Sequence, residues 1–185
     1  MNVSEALLNR RTIRKFEQKP IAKKKLKHLI NYARLAPFAA NVQALRYKII
    51  NDKSMCEKIF PYLKWAGYLE KGAPEKDFRP TAYIAVLGDT TVKENFETDA
   101  GAAITAILLG AYDLGLGACW IGSVKKKETS KLLKLSDKHE LLYIVALGYP
   151  AEASKECRFR QNQKYFYDKD GILNVPKLSL EDVII

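Results

Sequence analysis

The sequence predicts an α+β fold, in which helices and strands are intermixed without regular βαβ repetition. Apolar residues recur at helical spacing in some segments and form strand-length runs in others. The 185 residues are 48% hydrophobic and 28% charged, a globular balance in a chain long enough to bury about 70% of its unfolded surface. No Pro/Gly/Ser-rich linker or internal repeat divides the chain, so we predict a single domain over residues 1–185.

A short amphipathic segment at residues 3–8 precedes four helical patterns. The first helical pattern, residues 21–35, ends before Pro37, because proline disfavours helical geometry in the residue before it. The strongest pattern is small and apolar on nearly every face and stops at Gly115 and Gly117. Its small residues would let another helix approach closely, either within the domain or at a subunit interface; they are Gly101, Ala102, Ala103 and Ala106. The predicted helices are 21–35, 54–62, 96–114 and 126–135.

Apolar runs of strand length lie between these helices. The predicted strands are 47–50, 83–88, 118–122 and 141–147. In the tail, residues 165–167 and 172–173 flank an Asp/Gly-containing turn and predict a hairpin. Residues 61–80 contain glycines, prolines and exposed-type aromatics, which predicts a mobile connection.

Charge and composition narrow the function classes. The net charge of +10 raises a nucleic-acid hypothesis, but the lysine clusters at 23–27 and 125–127 have no interleaved aromatics for base stacking. We therefore predict no nucleic-acid partner, and a basic surface that attracts anionic ligands. Three cysteines without ligand spacing and two histidines predict no metal site. The absence of a secretory pattern or an uninterrupted apolar span predicts a cytoplasmic protein without membrane contact.

Three arginines and a hydroxyl lie within five residues near the N-terminus: Arg10, Arg11, Thr12 and Arg14. The guanidinium group presents its donors in a fork that matches phosphate oxygens, and each charge-assisted bond contributes about 1.5–3 kcal/mol. The pattern indicates a socket for one phosphate group. Taken alone, a short basic run is more often a solvated surface.

Three further motifs follow along the chain, and together they favour the phosphate socket over a solvated surface. The first is Ala36-Pro37-Phe38-Ala39-Ala40-Asn41-Val42-Gln43, the second Gly115-Leu116-Gly117-Ala118-Cys119-Trp120-Ile121-Gly122 and the third Gly148-Tyr149-Pro150. With the arginine segment, in this order and spacing, the chain resembles the FMN-dependent nitroreductase family. The resemblance covers the motifs from about residue 2 to residue 150, and more loosely the rest of the chain.

The resemblance implies a nitroreductase-like fold with a central, mostly antiparallel sheet flanked by helices, and a homodimer with a C-terminal extension. FMN would lie at the subunit interface and carry the chemistry, so no side chain is expected to be catalytic. The phosphate would be bound by Arg10, Arg11, Thr12 and Arg14. The partner subunit would contribute Pro37, Phe38, Ala39, Asn41 and Gln43. The backbone amides near the reactive edge of the flavin would come from Ile121 and Gly122. One more basic residue would reach the phosphate, with Arg160 the chosen candidate beside Arg158 and Lys164.

Two positions depart from the family pattern. Thr12 stands where the family often has serine and keeps the hydroxyl. Phe38 replaces a residue that is commonly serine, so it removes one polar contact and is expected to pack against the ring system or narrow the pocket. Ile13 is expected to point into the core. Residues 67–79, with Tyr68 and Phe78, are either a lid over the flavin and its acceptor pocket or a segment packed on the surface.

The implied reaction is the reduction of nitroaromatics, quinones or similar electron-poor small molecules, with NADH or NADPH as reductant, by a ping-pong mechanism. Gly115 and Gly117 lack the third glycine of a dinucleotide fingerprint and close a helix, so no Rossmann site is predicted. The alternative is a flavin-binding protein of the same fold with a different role, namely flavin fragmentation, reductive dehalogenation or flavin storage. On the phosphate assignment, Arg11→Ala should weaken FMN binding by about 1.5–3 kcal/mol.

Overall fold

A computed structural model describes residues 2–159 and 162–185. Its α-helices are α1 (Val3–Asn9), α2 (Lys23–Ala33), α3 (Lys53–Ile59), α4 (Glu97–Asp113) and α5 (Lys126–Leu132). Its strands are β1 (Phe16–Glu17), β2 (Leu45–Ile50), β3 (Ala82–Asp89), β4 (Gly117–Ile121), β5 (His139–Pro150), β6 (Ser154–Arg158), β7 (Phe166–Tyr167) and β8 (Leu173–Lys177). Short 3-10 turns lie at Ala39–Asn41, Phe60–Tyr62 and Lys76–Phe78. The predicted helices and strands are all present, with ends that differ by a few residues.

The main sheet is built around the long strand β5. Along one edge β5 pairs with β3, which in turn pairs with β2. Along its other edge β5 pairs first with β4 and then, at Tyr149 and Pro150, with β1. All of these pairings are antiparallel, which confirms the predicted α+β class with an antiparallel sheet.

Both faces of this sheet are covered, and therefore β3 is a continuous apolar run rather than an alternating one. Ile84 and Val86 face the cluster formed with α2 and α4, whereas Tyr83 and Ala85 face the cluster that includes residues of α3. A bulge in the β3–β5 register lies between Val86 and Leu87. An extra residue on β5 at this point shifts the alternation of its side chains by one position.

Helix α4 packs closely against α2. A methyl group at Gly110 would lie only 2.4 Å from the ring of Tyr32, so the absence of a side chain there lets the two helices approach. Ala103 is fully buried, while Gly101, Ala102 and Ala106 are partly exposed. The helix ends at Gly115, whose φ of 72° places it in the left-handed conformation typical of helix C-termini.

The N-terminal segment between α1 and β1 lies across β4 and β5 on two glycines. Cβ atoms at Gly117 and Gly148 would lie 2.8 Å and 2.6 Å from the Cβ atoms of Ile13 and Phe16, respectively. The Ile13 N–H donates to the Ala118 carbonyl at 3.1 Å. Ile13 is half-buried and packs over Gly117. This contact and the hydrogen bond to Ala118 attach the arginine segment to the sheet.

The tail forms a second, small sheet. β7 and β8 are the predicted hairpin, with Tyr167 opposite Leu173, and this prediction is confirmed. β6 adds to β8 in parallel, with Ser154 opposite Leu173. The sequence did not reveal β6, because its residues are mostly polar and partly exposed and its partner is distant along the chain.

Candidate functional site

The arginine segment lies beside a cavity of about 340 Å³. The arginine segment, which follows α1, forms one wall of the cavity, and the first residues of β4 form the floor of the cavity. The loop after β5 closes the other side. The lining includes Arg10, Arg11, Ile13, Gly117, Ala118 and Glu152. Thr12 lies on the β4 side, in a parallel bridge with Ala118. Of the residues predicted to bind a phosphate, Arg10 and Arg11 line this cavity and Thr12 borders it, whereas Arg14 is not one of its lining residues.

The Arg11 guanidinium is already engaged within the chain. Its Nη1 donates to the Arg10 carbonyl at 2.6 Å, and its Nη2 donates to the Leu8 carbonyl at 2.6 Å and to Glu156 at 2.7 Å. Only 10% of its side chain is exposed. Its Nε is buried without a hydrogen-bond partner among the described residues. Arg11 thus links the C-terminal end of α1 to β6, and these bonds use three of the five N–H groups of its guanidinium.

Arg10 and Arg14 form no ion pair within residues 2–159 and 162–185. Arg10 is half-buried, and burial together with the adjacent charge of Arg11 lowers the pKa of its guanidinium. The Arg14 guanidinium stacks on the ring of Tyr165, with its Cζ 4.7 Å from the ring centroid. An anion beside this segment would offset the repulsion between Arg10 and Arg11 and supply hydrogen-bond acceptors for their guanidinium groups.

Glu152 holds the backbone of this segment in place. Its Oε1 accepts hydrogen bonds from the backbone N–H groups of Arg14 and Lys15, and its Oε2 accepts one from the Tyr167 hydroxyl. Burial, and then the bond to Glu152, raise the pKa of Tyr167. One carboxylate therefore joins the N-terminal segment to the tail hairpin.

The tail also contacts residues 67–79, the candidate lid. Tyr165 lies 5.1 Å from Tyr68 between ring centroids, and the Gln163 amide donates to the Tyr68 hydroxyl at 3.4 Å. Tyr68 is therefore brought close to Arg14 through Tyr165. Phe78 lies in the 3-10 turn before β3 and is exposed. The proposal that residues 67–79 close over a ligand stays a prediction, which the position of Tyr68 supports.

Residues 37–43 lie apart from the arginine segment. Among the residues that the structure describes, no hydrogen bond or ion pair joins residues 37–43 to the arginine segment. Phe38 packs against the core cluster of α2 and α4, whereas Asn41 and Gln43 are exposed. Pro37 and Ala39 are exposed as well. This segment is instead attached to α4, through a hydrogen bond from the Ala39 N–H to Asp99 at 3.0 Å.

Ile121 and Gly122, at the end of β4, differ in their exposure to solvent. Ile121 is buried and pairs with Ile144, while Gly122 follows the strand and is exposed. Beyond the bridge at Ala118, the outer edge of β4 has no strand partner among the described residues. Backbone groups on such an edge are available to a ligand. Trp120, 39% exposed, packs edge-on against Tyr143 with ring centroids 5.2 Å apart.

The further basic residue predicted to reach the phosphate comes from the segment after β5. Arg160, the chosen candidate, lies outside the described residues. Arg158 ends β6 and is exposed, and Lys164 is exposed in the following segment. These assignments stay predictions.

Three acidic residues that organise the site were not singled out from the sequence: Asp99, Glu152 and Glu156. Two of them had a signal. Asp99 lies in the first turn of a helix whose following residues are mainly small or apolar, and Glu152 follows the Gly148-Tyr149-Pro150 motif by two residues. An acid inside a basic or apolar context is a candidate partner for a cation or a backbone N–H.

The structure is thus an α+β fold with an arginine-lined cavity at the edge of its main sheet. Residues 7–149 match the model of the nitroreductase family. The chain therefore belongs to the nitroreductase family, a family of oxidoreductases, and this confirms the resemblance drawn from its motifs.

Individual relatives agree with the assignment. A protein of Archaeoglobus fulgidus, named provisionally as an NADH dehydrogenase/NAD(P)H nitroreductase, is 26% identical over 183 residues, which cover 95% of each chain. An FMN reductase [NAD(P)H] of Bacillus subtilis is 25% identical over 92% of this chain and 76% of its own. The solved structure of an FMN-dependent nitroreductase from Clostridium difficile superposes with a TM-score of 0.71 at 26% identity, covering 83% of this chain and 90% of that one. The nitroreductase-like fold is thus confirmed.

No helix in the described part of the chain has the length and apolar character needed to cross a membrane.

Proposed function

We propose that this protein is an FMN-dependent NAD(P)H oxidoreductase that reduces nitroaromatics, quinones or similar electron-poor acceptors by a ping-pong mechanism. The observation that carries the proposal is the arginine segment. Arg10 and Arg14 are unpaired with any described carboxylate. Arg10 lines the cavity next to β4, and Glu152 holds the backbone of Arg14. This arrangement suits one terminal phosphate.

The described residues fit FMN. A buried, unpartnered Nε on Arg11 and the lowered pKa of Arg10 are features that a phosphate would compensate. Arg10, Arg11, Thr12 and Arg14 would hold the phosphate, and the backbone at the end of β4, at Ile121 and Gly122, would face the ring. When bound, the flavin supplies the hydride acceptor and donor, while the chain supplies binding and electrostatics.

The proposal includes a homodimer with two sites. Asn41 and Gln43 do not contact the arginine segment of their own chain, so a contribution from the partner subunit would bring the two parts of the site together. Exposed apolar side chains in α1 and the C-terminal segment also support association. They are Val3, Leu7, Leu8, Leu178, Leu180, Val183 and Ile184. Light scattering coupled to size exclusion should give twice the mass of the 21.0 kDa chain.

The decisive experiment is purification followed by a visible spectrum and NADH and NADPH oxidation assays with nitroaromatic and quinone acceptors. The proposal expects a yellow protein and acceptor-dependent oxidation of at least one nucleotide. A yellow protein without this activity would favour another flavin-dependent role on the same fold. A colourless protein that binds nucleic acid with steep salt dependence would contradict the proposal altogether.

Variants test the phosphate assignment directly. Arg14→Ala should weaken FMN binding by about 10- to 150-fold, the equivalent of one charge-assisted bond. Arg11→Ala should weaken it too, but it also removes the bonds to Leu8 and Glu156, so Arg14 is the cleaner test. Arg34→Ala, at an exposed arginine after α2, is the control and should leave the affinity unchanged. Equal affinity of all variants would refute the assignment.

A further inference from the structure

The loop that follows Pro37 has an unusual backbone. Ala40, Asn41 and Gln43 have positive φ angles of 48°, 53° and 54°, respectively. These residues are not glycine, so each occupies a left-handed conformation that is unfavourable for an L-residue. All of residues 39–43 are exposed. Packing of their own side chains therefore does not explain why the loop keeps this shape. Hydrogen bonds hold it: two turn bonds from the Asn41 and Val42 N–H groups, one from Arg46 to the Gln43 carbonyl, and one from the start of the loop to a carboxylate in α4.

The carboxylate among these partners belongs to Asp99, in the first turn of α4. Its side chain is 1% exposed. Oδ1 accepts the hydrogen bond from the Ala39 N–H at 3.0 Å, and Oδ2 forms an ion pair with the Lys93 Nζ at 2.6 Å. Lys93 comes from the connection between β3 and α4, and 21% of its side chain is exposed. Both carboxylate oxygens are thus committed, one to the loop and one to the cation that neutralises the charge.

The electrostatics keep this carboxylate ionised. Burial raises the pKa of Asp99, but the hydrogen bonds from Lys93 and Ala39 and the charge of Lys93 outweigh it, so the net pKa lies below the usual range. A buried carboxylate is unfavourable unless it is paired and hydrogen-bonded. Asp99 is one of the few buried charged residues of the described chain, and its neighbours in the helix, Ala100 and Ala103, are apolar. A residue needed only to fill this position would not require a charge.

We propose that Asp99, paired with Lys93, is a positioning residue that fixes the loop of residues 39–43 and so presents Asn41 and Gln43 to the flavin. The inference rests on the proposed function, in which this loop completes the flavin site of the partner subunit. Asp99 itself does not touch the ligand. It acts through the Ala39 N–H, at the start of the turn that carries the three left-handed residues.

The test is a set of double-mutant cycles on FMN affinity. The flavin-free protein is titrated into FMN, and the dissociation constant is read from the quenching of flavin fluorescence. Asp99→Asn keeps the size of the side chain and removes its charge, and it should weaken FMN binding about tenfold. Asn41→Ala and Gln43→Ala should each weaken binding as well. If Asp99 acts through the loop, the combined variants should bind only slightly more weakly than the weaker of their two parents, because the contact is already lost.

A merely structural role predicts a different outcome. In that case the effects of Asp99→Asn and Asn41→Ala would multiply, and the visible circular dichroism of bound FMN at saturation would be that of the wild type. The proposal expects Asp99→Asn to change this spectrum as Asn41→Ala does. Glu97→Gln, at an exposed acid in the same helical turn, is the matched control and should leave both affinity and spectrum unchanged.

Two further results complete the design. If Asp99→Asn does not fold, Lys93→Met carries the test, since it removes the ion pair and leaves the bond to Ala39; it should weaken binding several-fold and alter the same spectrum. Wild-type affinity and spectrum in the folded Asp99→Asn or Lys93→Met variant, or full multiplication of the effects, would overturn the inference alone. Absence of FMN binding by the wild-type protein would instead overturn the proposed function.

Discussion

Removal of the Glu152 carboxylate should release the arginine segment and the tail hairpin together. Glu152 is half-buried and accepts hydrogen bonds from the backbone N–H groups of Arg14 and Lys15 and from the Tyr167 hydroxyl. The substitution Glu152→Ala deletes all of these bonds at once. It leaves the backbone N–H groups of Arg14 and Lys15 without their acceptor, in a position that is only partly accessible to water.

The magnitude follows from the number and kind of bonds. A hydrogen bond to a charged group contributes about 1.5–3 kcal/mol when buried, and partial access of water reduces this to about 1 kcal/mol per bond here. Glu152→Ala should therefore cost about 3 kcal/mol, a drop in Tm of about 6–12 °C for a chain of this size. Tyr167→Phe removes one bond and should cost about 1 kcal/mol. Glu75→Ala, at an exposed acid, should stay within about 0.5 kcal/mol of the wild type.

The assay is urea denaturation of the flavin-free protein followed by tryptophan fluorescence and circular dichroism. FMN affinity is then measured at a temperature at which every variant is folded, and Glu152→Ala should weaken it because the Arg14 backbone is no longer fixed. A free energy of unfolding within about 0.5 kcal/mol of the wild type would refute the role assigned to Glu152. An equal loss in Tyr167→Phe and Glu152→Ala would show that the backbone bonds to Arg14 and Lys15 contribute nothing.

Three other predictions concern stability and thiol reactivity. Gly148→Ala should destabilise the fold by about 1–3 kcal/mol by overpacking, since its Cβ would lie 2.6 Å from the Phe16 Cβ; an unchanged Tm would contradict this. Hydrogen bonds, foremost from Asn174, lower the pKa of Asp168 to about 2 from 3.8, so its contribution to stability is present above about pH 4 and lost as the pH falls to about 2. The Tm difference between wild type and Asp168→Asn should shrink over that window. Iodoacetamide at about pH 8 should label only Cys157 rapidly. Burial raises the pKa of the Cys56 thiol to about 12 and that of the Cys119 thiol to about 11. Fast labelling of two or more thiols would contradict this prediction.

The helices and strands could be predicted because their signals are local. The apolar run at β3 and the periodicity of α2 and α4 each lie within one segment, and the structure confirms them with small shifts at the ends. β6 was missed because a polar strand has no such signal and exists only by pairing with β8. The order of strands around β5 also depends on contacts between residues far apart along the chain.

The candidate site shows the same division. The arginine segment is contiguous, so its chemistry was visible in the residues themselves. The engagement of Arg11 by Glu156 was not, since these residues are 145 positions apart. The same holds for the stacking of Arg14 on Tyr165 and for the support of Ala39 by Asp99.

The sequence by itself determined the family of this protein, the class of its secondary structure and the segment that suits a phosphate. The last two rest on residue types at short spacing, and the family rests on the order of four short motifs along the chain. Only the tertiary structure decided which guanidinium groups are unpaired, which carboxylates hold the binding segments and how the tail reaches Arg14. The physical reason is that a hydrogen bond or ion pair is satisfied by whichever partner the fold brings within about 3 Å, and chain folding brings together residues that no local pattern relates.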